Sequence, residues 1–157
     1  MQEIDVIRHL LATISYRLAK SVNQVNPEFY ELAPPNGIRK PKEILRHMSQ
    51  VLMFSISVLD HTTPTTLNQE DGKTELKRFY LILEQLDELL IKTAINPELT
   101  LQFIQGPMAD TLTHIGQIAM LRRYYNDPVR GENFMKAKIK MGKLKLDEQD
   151  LNNVPFD

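Results

Sequence analysis

The sequence predicts an all-α fold, a four-helix bundle with a short extended or strand-like C-terminal segment, and three observations carry that prediction. Apolar residues recur at three- and four-residue steps in four separate stretches, the spacing that lines one face of an α-helix. Proline and Asn-Gly or Asp-Gly breaks fall between those stretches, where a helix cannot continue. Beyond residue 125 the period drops to two, the mark of extended chain with one wet face. The 157 residues suit a single domain, which we divide into a helical bundle over 1–125 and a C-terminal extension over 126–157.

The first helix is expected over residues 3–25, where Val6, Ile7, Leu10, Leu11, Ile14, Leu18 and Val22 form one stripe. Pro27, Pro34, Pro35 and the Asn36-Gly37 pair then describe a surface connection long enough to reach a pocket rim. A second helix over 40–60 starts with Pro41 in the first turn, where no hydrogen bond is lost, and carries the stripe Ile44, Met48, Val51, Phe54 and Val58. The polar run from His61 to Gly72 reads as a loop. Leu76, Phe79, Tyr80, Leu83, Leu86 and Leu90 define a third helix over 73–93, with Lys77, Glu84 and Lys92 outside, closed by Asn96-Pro97. After a link through Gln105, Gly106 and Pro107, a fourth helix places Met108, Leu112, Ile115, Ile118 and Leu121 at helical spacing and stops near Tyr125, before Pro128. Over 134–144, Met135, Ala137, Ile139 and Met141 alternate with Lys136, Lys138 and Lys140. Such a segment must lie on the bundle or pair with its copy in a second subunit, because one strand cannot stand alone.

Composition narrows the function classes. Nineteen Lys and Arg against twenty Asp and Glu give a net charge of -1, so no global field draws nucleic acid or anionic membrane. The Lys136, Lys138 and Lys140 row lacks interleaved aromatics and reads as a solvated face. No cysteine is present, which excludes disulfides, thiolate metal sites and a cysteine nucleophile. Neither a signal peptide nor a long uncharged apolar run is apparent, so a cytoplasmic protein is expected.

Chemistry must therefore come from polar groups set on apolar faces. His47 sits inside the stripe of the second helix, and Asp110 and His114, four apart on the fourth, project from adjacent turns toward the core. Two imidazoles and a carboxylate form a set able to bind a divalent ion while leaving positions open to water and substrate. Taken singly, each has a plainer reading: a core histidine satisfied by a neighbour, or an acidic residue favoured by the dipole of a helix start. Their coincidence on inward faces favours the metal. Gln117, one turn beyond His114, is a candidate to orient a ligand or to bond backbone, and Gly116 to permit close helix packing. Arg122 and Arg123 are expected to be solvated at the helix end, His61 solvated in its loop, and His9 at most at a rim.

The run Gly37-Ile-Arg-Lys-Pro-Lys-Glu-Ile-Leu-Arg-His47 resembles the second-helix histidine motif of the DinB-like family (DinB/YfiT-like metalloenzymes), and His114-Ile-Gly-Gln-Ile resembles its histidine-x-Gly-Gln-Ile motif. The resemblance covers roughly residues 1–125 and implies a metal site built from one histidine of the second helix and two, four apart, of the last. Here His47 and His114 match, while Asp110 stands at the third position and shifts the preference toward harder ions. The resemblance implies a divalent cofactor, Zn, Ni, Fe or Mn, that activates a water or a low-molecular-weight thiol in a transferase or hydrolase reaction on a small-molecule substrate, and it implies a homodimer. The alternative is a non-catalytic bundle, a ligand-binding or protein-interaction module with a vestigial site.

Overall fold

A computed structural model describes residues 2–151. Five α-helices, α1 (Glu3–Val22), α2 (Pro41–Asp60), α3 (Gly72–Lys92), α4 (Pro97–Phe103) and α5 (Ala109–Tyr124), build an all-α bundle. The last two are one rod. Between them Ile104–Met108 forms a π turn in which the Ala109 N–H reaches back to the Ile104 carbonyl, so the rod counts as the bundle's fourth helix. Pro107 lies inside this turn. A proline has no N–H to donate and crowds the carbonyl four residues back, and the wider π turn accommodates both defects without ending the helix. The expected non-helical link at 105–107 is thus corrected: the fourth helix begins ten residues earlier, at Pro97, under an Asn96 cap that accepts the Leu99 N–H at 2.8 Å.

The other ends are marked by local chemistry. Glu43 accepts the Lys40 N–H at 2.7 Å at the start of α2, and the Asp71 carboxylate accepts the Lys73 and Thr74 N–H groups at 3.0 and 3.1 Å at the start of α3. His61 ends α2 in the left-handed region at φ 57°. The first helix stops at Val22, three residues short of expectation.

Side-chain bonds fix the directions. Arg8 pairs with Asp87 and Ser15 with Tyr80, so α1 and α3 are antiparallel. The 61–71 loop runs back along α2, with Gln50 holding Thr65 and Leu67 and Gln69 reaching Lys42, which sets α3 parallel to α2. The topology is up-down-down-up with one long crossover. Ile7, Leu11, Ile14 and Leu18 meet Leu45, Met48, Leu52, Phe79, Leu83, Leu86 and Ile118 in a fully buried core. On α2 the buried face is Ile44, Leu45, Met48, Leu52 and Leu59, whereas Phe54, expected inside, is 56% exposed.

No strand forms among the described residues. Over residues 126–151 the extension runs along the bundle, with 3-10 turns at Phe134–Lys136 and Leu146–Glu148. Ala137 and Ile139 are half-buried and Lys138 and Lys140 exposed, as the alternation implies, but Met135 and Met141 are exposed as well. What anchors the tail is different: Leu144 is buried, the Ser15 hydroxyl donates to its carbonyl at 2.8 Å, and buried Glu132 takes the Tyr16 hydroxyl and, at 2.6 Å, the Lys20 ammonium. Among the described residues no helix is long and apolar enough to cross a membrane.

Candidate metal centre

Helices α2 and α5 run antiparallel, and the second turn of one meets the first turn of the other. His47 lies three residues past buried Ile44, on the seam facing α5. Asp110 and His114 lie one turn apart on α5 and face α2. The three side chains converge: suitable ligand atoms of His47, Asp110 and His114 all lie within 4.8 Å of one another. His47 Nε2 is 3.3 Å from Asp110 Oδ2, and the two imidazole rings stand 4.5 Å apart, centre to centre, at 48°.

The backbone fixes one tautomer. His114 Nδ1 is 2.8 Å from the Asp110 carbonyl oxygen; a carbonyl only accepts, so Nδ1 carries the proton and Nε2 keeps the lone pair. Such a bond from the distal ring nitrogen orients metal-binding histidines in general. His114 is buried, while the side chains of His47 and Asp110 are 32% and 42% exposed, so the triad sits at a wall of the bundle with one side toward solvent. Burial, then the neighbouring His114 and Arg39, hold the His47 imidazole below its usual 6.5, against the opposing pull of Asp110. A ring held neutral is a ring able to ligate.

The donor set is one that could hold a metal ion. Two ligand atoms each about 2.0–2.1 Å from one tetrahedral ion lie about 3.3 Å apart, the separation found between His47 and Asp110. A direct charge-assisted hydrogen bond would be shorter, near 2.7–2.9 Å.

Beside the triad a cleft of about 540 Å3 opens between the α1–α2 connection and α5. Gln117 faces this cleft instead of the triad, half-buried. Two expectations at this end are corrected. Arg122 is buried: it forks onto Asp127 at 2.7 and 3.0 Å and donates to the Ser21 and Asn23 carbonyls at 3.1 Å, tying α5 to the end of α1, while Arg123 is exposed. Gly116 brings no helix close, since a Cβ built there meets nothing within 4 Å. His9 and His61 are exposed. The Tyr16, Lys20 and Glu132 cluster gave no signal in sequence, because its acid lies more than a hundred residues from its partners. No protein-family model matches the chain, and no curated protein or solved structure matches it either.

Proposed function

We propose that the protein is a DinB-like metal-dependent enzyme in which His47, Asp110 and His114 hold a divalent cation, Zn, Ni, Fe or Mn, and in which a water or low-molecular-weight thiol attacks a small electrophilic substrate. The observation that carries the reading is the convergence of two imidazoles and one carboxylate from two helices at ligand spacing. A divalent cation there supplies Lewis acidity, which brings a water or thiol into its deprotonated form near neutral pH. The chain's own residues do the rest. His114, locked by its Nδ1–H bond to the Asp110 carbonyl, presents a fixed lone pair. His47, whose pKa is held below its usual 6.5 by burial first and then by His114 and Arg39, offers a second without first losing a proton. Asp110 contributes the negative charge and stands half-open to solvent, the side from which a ligand approaches. A thiol nucleophile must come from outside, because the chain has no cysteine.

Elemental analysis by mass spectrometry of untagged protein, beside its His47→Ala, Asp110→Asn and His114→Ala variants, tests this. About one equivalent of metal is expected in the parent and none in either alanine variant; Asp110→Asn keeps shape but loses charge and retains a weakened fraction. Equal metal in all four proteins, or none in the parent after incubation with each ion, overturns the reading and leaves a non-catalytic bundle.

A further inference from the structure

The metal reading gives the cleft beside the triad no task. Its roughly 540 Å3 falls within the ~300–1,000 Å3 of small-molecule sites. Pro34, Pro35 and Ile38 of the α1–α2 connection form one wall, and Met120, Leu121 and Tyr124 of α5 the other. Ile38, Met120 and Tyr124 are 53%, 65% and 59% exposed, so large apolar side chains gather around a concavity and are left to water, which marks a binding surface. Met120 supplies an unbranched, adaptable wall.

Among the described residues, the polar side chains lining it besides the Tyr124 hydroxyl are Arg39 and Gln117. Arg8, Arg46, Arg78 and Arg122 are all held by acceptors of the chain; the Arg39 guanidinium and the Gln117 amide have no hydrogen-bond or ion-pair partner among the described residues. A free guanidinium at the edge of an apolar cleft offers a planar fork that matches a carboxylate. Position adds to this. Ile44 and His47 are three apart on α2, and Gln117 and His114 three apart on α5, so cleft and triad occupy successive turns of the same two helix faces, about 5 Å apart along the axis.

We propose that this cleft binds an amphipathic organic acid, its carboxylate on Arg39 with Gln117 as a further donor, and its hydrocarbon body along Ile38, Met120 and Tyr124. That the acid is the substrate rests on the metal reading; that it binds does not.

Titration calorimetry with decanoate on the full-length protein tests the site, using Arg39→Gln, Arg39→Lys, Met120→Asp and His114→Ala variants. Residues 39 and 120 are exposed, so these changes leave the fold intact, as thermal melts will verify. Decanoate is expected to bind the parent and to bind Arg39→Gln and Met120→Asp about tenfold or more weakly, the worth of one charge-assisted pair or more. Arg39→Lys, which keeps the charge without the fork, should fall between. Retained binding in metal-free His114→Ala supports a site independent of the ion, and supports it even if the parent proves to hold no metal, in which case only the substrate role is lost. Binding lost in His114→Ala and unchanged in Arg39→Gln means that the acid sits on the metal, and overturns the proposal. So does equal affinity for decylamine, which reports a plain apolar surface, and so does a decanoate-insensitive dimer that Met120→Asp dissociates, which makes this face a subunit contact.

Discussion

Replacing Lys20 by Met probes the contact that docks the C-terminal extension on the bundle. Lys20 Nζ lies 2.6 Å from Glu132 Oε2, and the two side chains are 6% and 0% exposed. The Tyr16 hydroxyl donates to the other carboxylate oxygen; desolvation first, then this bond, pushes the phenol well above its usual range, so it remains a donor. Methionine fills the lysine's volume but leaves a carboxylate in the interior without its cation. Breaking a buried pair from one side costs about 3–5 kcal/mol, and in a domain of this size each kcal/mol moves the midpoint by roughly 2–4 °C. A drop of about 6–20 °C is expected, with a matching fall in urea midpoint. Adding Glu132→Gln, which removes the stranded charge and leaves Tyr16 an acceptor, should recover most of the loss, so the double-mutant cycle returns a large coupling. Metal content should not change, because the pair lines a cavity on the α1 side of α5, shared with Gly116 and Ala119, away from the triad. A single-variant loss below about 1 kcal/mol, the worth of a solvent-exposed pair, would refute the reasoning and undock the tail.

Further outcomes follow from the same packing. Arg122→Lys should destabilise by about 2–3 kcal/mol, nearly as much as Arg122→Met, because one ammonium cannot satisfy Asp127 and two carbonyls from a fork's positions; denaturant titrations that rank lysine with the parent would contradict it. In metal-free protein His47 should titrate below 6.5, and Arg39→Gln should raise its midpoint, both read from imidazole resonances. Since the folded state holds this ring's pKa below the unfolded one, its contribution to stability is present above about pH 6.5 and is lost as pH falls through the folded value; a midpoint at or above 6.5 refutes the placement. Gly116→Ala, in open space within a helix, should stabilise by roughly 0.5–1 kcal/mol. Gly72→Ala should destabilise by about 1–3 kcal/mol, because its Cβ would fall 2.0 Å from that of Tyr30; paired thermal melts separate the two signs.

The bundle was legible because α1, α2 and α3 each carry a segregated apolar stripe and because Pro41 marks a start that the chain obeys, whereas Asn96, read as closing the third helix, caps the fourth. Within α2 the reading slipped by one position: the stripe through Val51, Phe54 and Val58 and the one through Leu52, Ser55 and Leu59 are both at helical spacing, and two buried serines disguise the inner one. The triad was legible for a related reason. His47, Asp110 and His114 occupy turns where apolar side chains were due, and a misplaced polar group is visible to anyone counting by three and four. The tail was not. Its anchors, Glu132 on Tyr16 and Lys20 and the Leu144 carbonyl on Ser15, join residues more than a hundred positions apart, and no local period encodes such a contact.

The fourth helix is where local pattern and burial disagree most, and the disagreement has a direction. Along α5 the inward face carries Thr111 and His114 beside Ile115 and Ile118, while Met120 and Tyr124 point to water. A helix so mixed gains little from an amphipathic face and is held by its neighbours instead: Arg122 clamps it to α1, and α4 and the π turn seat its start through Phe103 and Met108. Of the polar groups on the inside, His114 joins the triad, which half-exposed Asp110 completes on this helix, and the apolar groups on the outside form the cleft wall. Consistency across levels is what folding rewards, so a helix that breaks the rule on both faces identifies the surfaces on which something other than folding has set the residues. The two violations meet one turn apart, with Gln117 on the cleft side, which is the physical reason to propose triad and cleft as parts of one site.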